Sequence, residues 1–229
     1  MKRISLVLNV LNYNNLVIEY YLNHEISAFV YSLVNDQELH DSTETNKFSF
    51  SNIIFKNNTF ENNNGIHIHE SKAHLIISSD RQNVIDSIIK NVDYKKLYSV
   101  SNILFRIVSI HEDTDINLNI PSKFRTISPV VINNEPGKKG QISLILNKNM
   151  FISGLKTNIS NKIDRVTDID IIIDISTIIQ RRVRYKDGYI MGYLFDFEIQ
   201  SDYDVILKSY YNGFGCKNAI GFGFVKQIK

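Results

Sequence analysis

A chain of 229 residues is long enough for one large domain or for two of about 100–115 residues each. Hydrophobic residues make up 43% of it, too many for a disordered chain, and a formal charge of only +2 means that any polyanionic partner has to be held by a local patch. The single cysteine, Cys216, rules out an internal disulfide and a cysteine-based zinc site, and no run approaches the roughly 18 apolar residues of a membrane span, so the sequence reads as soluble and cytoplasmic, with no membrane partner.

Ile4, Leu6, Leu8 and Val10 recur every second residue, the period of a strand with one buried face. From about residue 15 to residue 34 there is neither glycine nor proline. Ile18, Leu22, Ile26, Phe29, Val30 and Leu33 fall on one helical face there and predict the first helix. A polar loop over residues 35–46, containing Leu39 and His40, leads to strand character over residues 48–55. Residues 57–65, rich in asparagine, read as a hairpin tip. Two short strands follow, around residues 66–69 and 72–78. Asp80 is placed to cap a second helix, whose apolar stripe is Val84, Ile85, Ile88, Ile89 and Val92. Residues 97–111 then read as one long, bent strand. The order is β-α-β-β-α-β, the ferredoxin-like arrangement.

Pro121 and the polar stretch before it make the linker, giving domains of residues 1–118 and 119–229. Residues 124–132 read as a strand with Pro129 at an edge or bulge. A turn at 135–140 carries Lys138 and Lys139, residues 141–146 form a further short strand, and Phe151, Leu155 and Ile159 mark a helix over 149–162. A strand at 169–175 is followed by a basic segment, Arg181, Arg182, Arg184 and Lys186. The clearest strand of the chain is 189–199, with Met191, Tyr193, Phe195, Phe197 and Ile199 on one face. A short helix over 201–211, a glycine-rich loop and a closing strand complete a second β-α-β-β-α-β unit. The fold class is therefore α+β, two tandem ferredoxin-like, RRM-like domains.

Four of the ten glycines, Gly213, Gly215, Gly221 and Gly223, lie in the loop of the second unit. A mononucleotide or dinucleotide loop follows a strand and opens a helix. This one follows a helix and opens a strand, so nucleotide-cofactor binding fails on context. A backbone amide surface against phosphodiesters, with Lys217 and Asn218 as added donors, fits better. The competing reading is a tight connection whose glycines serve only close packing.

The run Gly213-Phe214-Gly215-Cys216-Lys217-Asn218-Ala219-Ile220-Gly221-Phe222-Gly223-Phe224 resembles the C-terminal signature of the CRISPR-associated endoribonucleases of the RAMP superfamily, which cut repeat precursor RNA. The resemblance extends along the chain through Phe29-Val30-Tyr31-Ser32-Leu33, Leu39-His40, Phe48-Ser49-Phe50-Ser51, the segment opening at Phe124-Arg125-Thr126, Leu155-Lys156-Thr157-Asn158, and Gly188-Tyr189-Ile190-Met191-Gly192-Tyr193. It implies two ferredoxin-like domains and a metal-independent, cofactor-free cleavage. In that chemistry the 2′-hydroxyl attacks the adjacent phosphate and leaves a 2′,3′-cyclic phosphate and a 5′-hydroxyl. His40 stands where the resemblance puts the catalytic histidine, whose ordinary pKa of about 6.5 suits proton transfer. Tyr31 matches the assisting helix tyrosine. The family's lysine before the second strand corresponds to Lys47, although ungapped counting from His40 reaches Asn46.

The implied partner is CRISPR repeat RNA, as precursor and as mature guide. Other subunits of a CRISPR interference complex and a second copy of the chain are further partners compatible with the resemblance. Guanidinium groups match phosphate geometry, so Arg125, Lys138, Lys139, Arg181, Arg182 and Arg184 join the four glycines, Lys217 and Asn218 as expected RNA contacts. A charge-protected edge strand explains the arginines equally well. Two rivals remain open: a non-catalytic RNA-binding subunit of the same fold, and a metal-dependent hydrolase using His67, His69 and His74. His24 is expected at a surface or interface, and His111 at a strand end.

Overall fold

The computed structural model describes residues 1–14, 16–19, 22–34, 48–61, 65–113, 116–134, 140–165 and 167–228. The alternating apolar run becomes β1 (Lys2–Val10), followed by β2 (Val17–Ile18) and α1 (Asn23–Val34). Four strands come next: β3 (Phe48–Phe50), β4 (Ile54–Phe55), β5 (Asn58–Glu61) and β6 (Gly65–Ile68). β7 (Lys72–Ser79), α2 (Gln82–Asn91), β8 (Tyr98–Val100) and β9 (Ile103–Glu112) complete the first half.

The second half runs β10 (Ser122–Thr126), α3 (Lys148–Ile163), β11 (Asp170–Tyr185), β12 (Gly188–Gln200) and α4 (Tyr203–Asn212). A single 3₁₀ turn, Asn218–Ile220, and β13 (Val225–Gln227) close it.

The first sheet is ordered β3-β7-β1-β9-β8 and the second β11-β12-β10-β13. Ignoring β8, both place the second, third, first and fourth strands of a β-α-β-β-α-β unit side by side. The tandem ferredoxin-like reading is thus met at the level of strand order. Each unit has its own core. One cluster gathers Ile4, Leu6 and Leu8 with the buried faces of α1 and α2; the other gathers Phe124, Phe195 and Phe197 with those of α3 and α4. Burying a single such side chain stabilises by roughly 1.5–3 kcal/mol, so two cores of this size outweigh any surface term.

Several local expectations are corrected. The first helix begins at Asn23, because the β-branched pair Val17–Ile18 instead joins Ile66 and His67 in a small sheet. Residues 57–65 are not all tip: β5 lies within them and pairs with β6. Residues 48–55 break into two strands, with the Ile76 amide bonded to Ser51 Oγ at the break. Asp80 does not cap α2. The N-cap is Arg81, with no side-chain cap bond, and the Asp80 amide donates to Asn212 Oδ1 at 3.2 Å.

Residues 97–111 form a hairpin, not a bent strand, turning at Ser101 with φ 53°. Residues 141–146 form no strand; one bridge, Asn133 to Gln141, is followed by a turn. The strand expected at 169–175 runs on through the basic segment: Arg181, Arg182 and Arg184 belong to the 16-residue β11, at the edge of the second sheet.

The two units are joined by buried polar contacts. Arg3 leaves the face of β1 opposite Ile4 and Leu6, stacks 3.8 Å from the Tyr210 ring centroid, and donates to the Val225 carbonyl at 3.1 Å and the Tyr210 carbonyl at 3.2 Å. Ser49 and Ser78 both donate to the Tyr211 carbonyl. Because unpaired buried groups cost more than apolar ones, these bonds fix one relative placement of the halves.

Candidate nucleic-acid interface

The glycine-rich loop leaves α4 at Gly213, its C-cap, and returns to β13. Phe214 anchors it, fully buried with its ring centroid 4.9 Å from that of Phe197. Backbone approach explains the glycine pattern. At Gly223, with φ +72°, an added Cβ would lie 1.8 Å from the Phe214 carbonyl oxygen. No side chain fits there.

Several of the loop's amides turn inward. Phe214 donates to Gly223 O, Cys216 to Val131 O, Gly223 to Pro129 O, and Phe224 to Ser128 Oγ. Gly213, Gly215, Gly221 and Gly223 are all buried. The amides of Gly221 and Gly223 are spent on the Asn218 and Pro129 carbonyls rather than offered outward, and the glycines let the loop fold back on itself and on the 128–131 segment.

Asn218, expected to contact RNA, turns inward as well. It is 6% exposed, its Nδ2 donates to the carbonyls of Phe214 (3.2 Å) and Phe222 (2.9 Å), and its Oδ1 accepts from Lys162. Its amide group is consumed within the protein. Lys217 remains an outward donor, half-exposed in left-handed backbone with φ 65°.

Lys162 is the residue that sequence reasoning missed. It lies in the last turn of α3, 8% exposed, with Nζ 2.7 Å from Gly213 O, 2.6 Å from Gly215 O and 2.5 Å from Asn218 Oδ1. Burial pushes its pKa down to about 7, while the nearby Cys216 acts in the opposite direction. The signal was present in spacing: Lys162 continues the buried stripe Phe151, Leu155, Ile159.

Above the loop lies a cleft of about 400 Å³ lined by Tyr31, Asn133, Asn158, Lys162, Asn212 and residues 215–220. Tyr31 reaches it from α1, with its ring edge-to-face on Phe48 at 5.4 Å. The α1 side is tied to the loop directly. Asn23 Nδ2 donates to the carbonyls of Ile220 (3.2 Å) and Gly221 (2.9 Å), and Ser27 Oγ to that of Ala219 (3.0 Å). One wall of the cleft therefore comes from each unit. His40 and Lys47 lie outside the described residues, as do Lys138 and Lys139.

The arginines divide. On β11, Arg181 shares a face with Val183, which packs with Phe222 and Val131 beneath the loop, whereas Arg182 and Arg184 point to the opposite, exposed side. Arg182 stacks over Tyr189 at 3.8 Å. The β11–β12 tip also meets α1, where the His24 and Tyr185 rings are 5.3 Å apart. Arg125, expected to contact RNA, forms a two-pronged pair with Asp196, at 2.8 and 2.6 Å. Its neighbour Lys123 lies 3.9 Å from Glu198. The open face of the second sheet therefore carries compensated charges.

His67 belongs to the three-stranded sheet and His74 to the large one, while His69 bonds Thr59 and His74 bonds Ser5. Among the described residues no three His, Cys, Asp or Glu side chains converge as metal ligands. His111 is the penultimate residue of β9. No helix among the described residues is long and apolar enough to cross a membrane.

Residues 112–227 match the family model described as CRISPR associated protein Cas6, C-terminal. CRISPR-associated endoribonuclease Cas6 1 of Methanocaldococcus jannaschii is 27% identical over 245 residues, covering 99% of this chain and 93% of that protein. A solved structure of a Cas6-related gene product from Pyrococcus furiosus aligns at TM-score 0.86 and 24% identity, over 100% of this chain and 98% of that one. A solved RAMP protein described as binding different RNA substrates aligns at TM-score 0.86 and 25% identity, over 100% of both chains.

Proposed function

Because the chain belongs to the CRISPR-associated Cas6 family, we propose that it is an endoribonuclease that cuts CRISPR precursor RNA within its repeats. The observation that carries this reading is the shared cleft, where Tyr31 of α1 faces Lys162 and Lys217 of the glycine-loop side. A wall from each unit can grip a strand of RNA, and two lysines supply positive charge where a phosphate would lie. The relative in Methanocaldococcus jannaschii, a named endoribonuclease, supports the activity.

The reaction needs no metal. The ribose 2′-oxygen bonds to the adjacent phosphorus while the P–O5′ bond breaks, so one group takes the 2′ proton and another protonates the leaving oxygen. His40 serves as that acid or base. In the sequence it follows by six residues the end of α1, the helix whose Tyr31 lines the cleft. Lys47, the residue before Phe48 in the sequence, balances phosphorane charge. Tyr31 orients the reacting groups. Arg182, Arg184, Lys138 and Lys139 hold RNA flanking the cut. The mature guide stays with the protein for transfer to interference-complex subunits.

The test is incubation of the unmodified protein and His40→Ala with the repeat RNA of its own array in EDTA, with analysis of product ends. Cleavage by the unmodified protein alone, leaving a 2′,3′-cyclic phosphate, is expected. Tight binding without cleavage by either would make the chain a non-catalytic RNA-binding subunit. Cleavage only when a divalent metal is restored would remove the acid–base mechanism.

A further inference from the structure

Resting on the RNA-binding reading above, we infer that Lys162 positions the glycine-rich loop for RNA and that its protonated ammonium is the binding-competent form. Three oxygens converge on Nζ within 2.7 Å: Gly213 O, Gly215 O and Asn218 Oδ1. An ammonium has three N–H donors and satisfies all of them; a neutral amine has two and leaves one buried acceptor unpaired. The three acceptors belong to the first half of the loop, the stretch that forms the cleft wall below Lys217. Loss of one bond therefore loosens the surface that RNA must meet.

The charge arrangement points to an anionic ligand. Lys162 is a buried cation, and among the described residues lining its cleft there is no carboxylate. The polar side chains that line the cleft with it are Asn133, Asn158 from α3, Cys216, Lys217 and Asn218 from the loop, Asn212 from α4 and Tyr31 from α1. None is an anion at neutral pH in its ordinary state. A phosphodiester in the cleft supplies the missing counter-charge, and an opposite charge nearby favours the protonated lysine. With a pKa pushed down by burial to about 7, the free protein holds the ammonium only in part at pH 7.5. Binding RNA then draws a proton from solvent onto Nζ. The proton is conserved: one amine and one solvent proton become one ammonium.

The experiment measures repeat RNA binding by calorimetry in EDTA, using His40→Ala protein to remove both cleavage and titration of that histidine. Titrations at pH 7.5 in phosphate and in Tris report protons taken up per RNA bound, because the two buffers differ in ionisation heat. Uptake of about 0.7 proton is expected, with Kd weakening towards tenfold per pH unit above about pH 7.5. Adding Lys162→Met should abolish the uptake and flatten the pH profile, with weaker binding at pH 7. Lys162→Arg, charged at every pH, should restore affinity without uptake. The buffer comparison uses a chain whose loop and lysine are intact, so it decides the matter even if Lys162→Met fails to fold. Zero uptake with tight binding, or unchanged uptake in Lys162→Met, overturns the inference and leaves the RNA-binding reading standing. Absence of RNA binding at every pH overturns both.

Discussion

Replacing Asn218 by alanine removes three hydrogen bonds from one buried point. The Phe214 and Phe222 carbonyls lose their amide donor, and the Lys162 ammonium loses one of three acceptors. A buried acceptor left unpaired costs about 1–3 kcal/mol, and a charge-assisted bond contributes about 1.5–3 kcal/mol. Asn218 borders the cleft, so water can partly replace the amide and the lower ends of these ranges apply. The expected loss is roughly 3–5 kcal/mol, a large fraction of a domain's stability. Urea unfolding followed by circular dichroism measures it, with an unchanged m-value confirming that the transition is comparable. If Asn218 were an outward RNA donor, alanine would weaken RNA binding and leave stability alone. A loss below about 1 kcal/mol would refute the inward role argued from these distances.

Other expectations follow from the same contacts. Gly223→Ala places a methyl 1.8 Å from the Phe214 carbonyl, so it should cost about 3 kcal/mol or more or prevent soluble expression; a melting temperature within a degree of the parent would refute the loop path. Arg182→Met and Arg184→Met should each reduce the slope of log affinity against log salt by about one if each meets a phosphate, while Arg125→Met, already paired with Asp196, should leave it unchanged. For Lys162 the folded pKa, about 7, lies below the unfolded value, so between pH 7 and about 10.4 the unfolded chain binds more protons and stability rises with pH. That contribution is lost progressively as pH falls from about 10.4 to about 7. Lys162→Met should remove this component from a stability–pH curve, and an unaltered curve would refute the assignment.

Much of the fold was legible because strand and helix periods differ. Alternation at Ile4–Val10 and Met191–Ile199, and the stripe Val84, Ile85, Ile88, each led to the correct element. The first helix was extended too far because Ile18 and Leu22 continue the four-residue spacing into Ile26, and period alone does not reveal that Val17 and Ile18 have a strand partner in β6. The hairpin at 98–112 was hidden because its turn, Ser101-Asn102, contains no glycine or proline.

The candidate site was legible only in part. Tyr31 and the glycine loop are nearly two hundred residues apart, and the resemblance linked them before the cleft did. The inward turn of Asn218 was not readable, since it depends on Lys162 arriving from α3. Nor could Lys162 be chosen from composition, because a lysine on an apolar stripe often extends its head to water, and here three loop oxygens retain it. Arg125 had the chemistry of a phosphate ligand, but its cross-strand neighbour is Asp196.

The most direct test of the cleft as the RNA site is photo-crosslinking of 4-thiouridine-substituted repeat RNA, with the attached peptides identified by mass spectrometry. Crosslinks at Tyr31 and at residues 216–220, the two walls of the cleft, are the predicted result. Crosslinks confined to the charge-compensated face around Lys123 and Arg125, with the cleft residues untouched, would contradict the account.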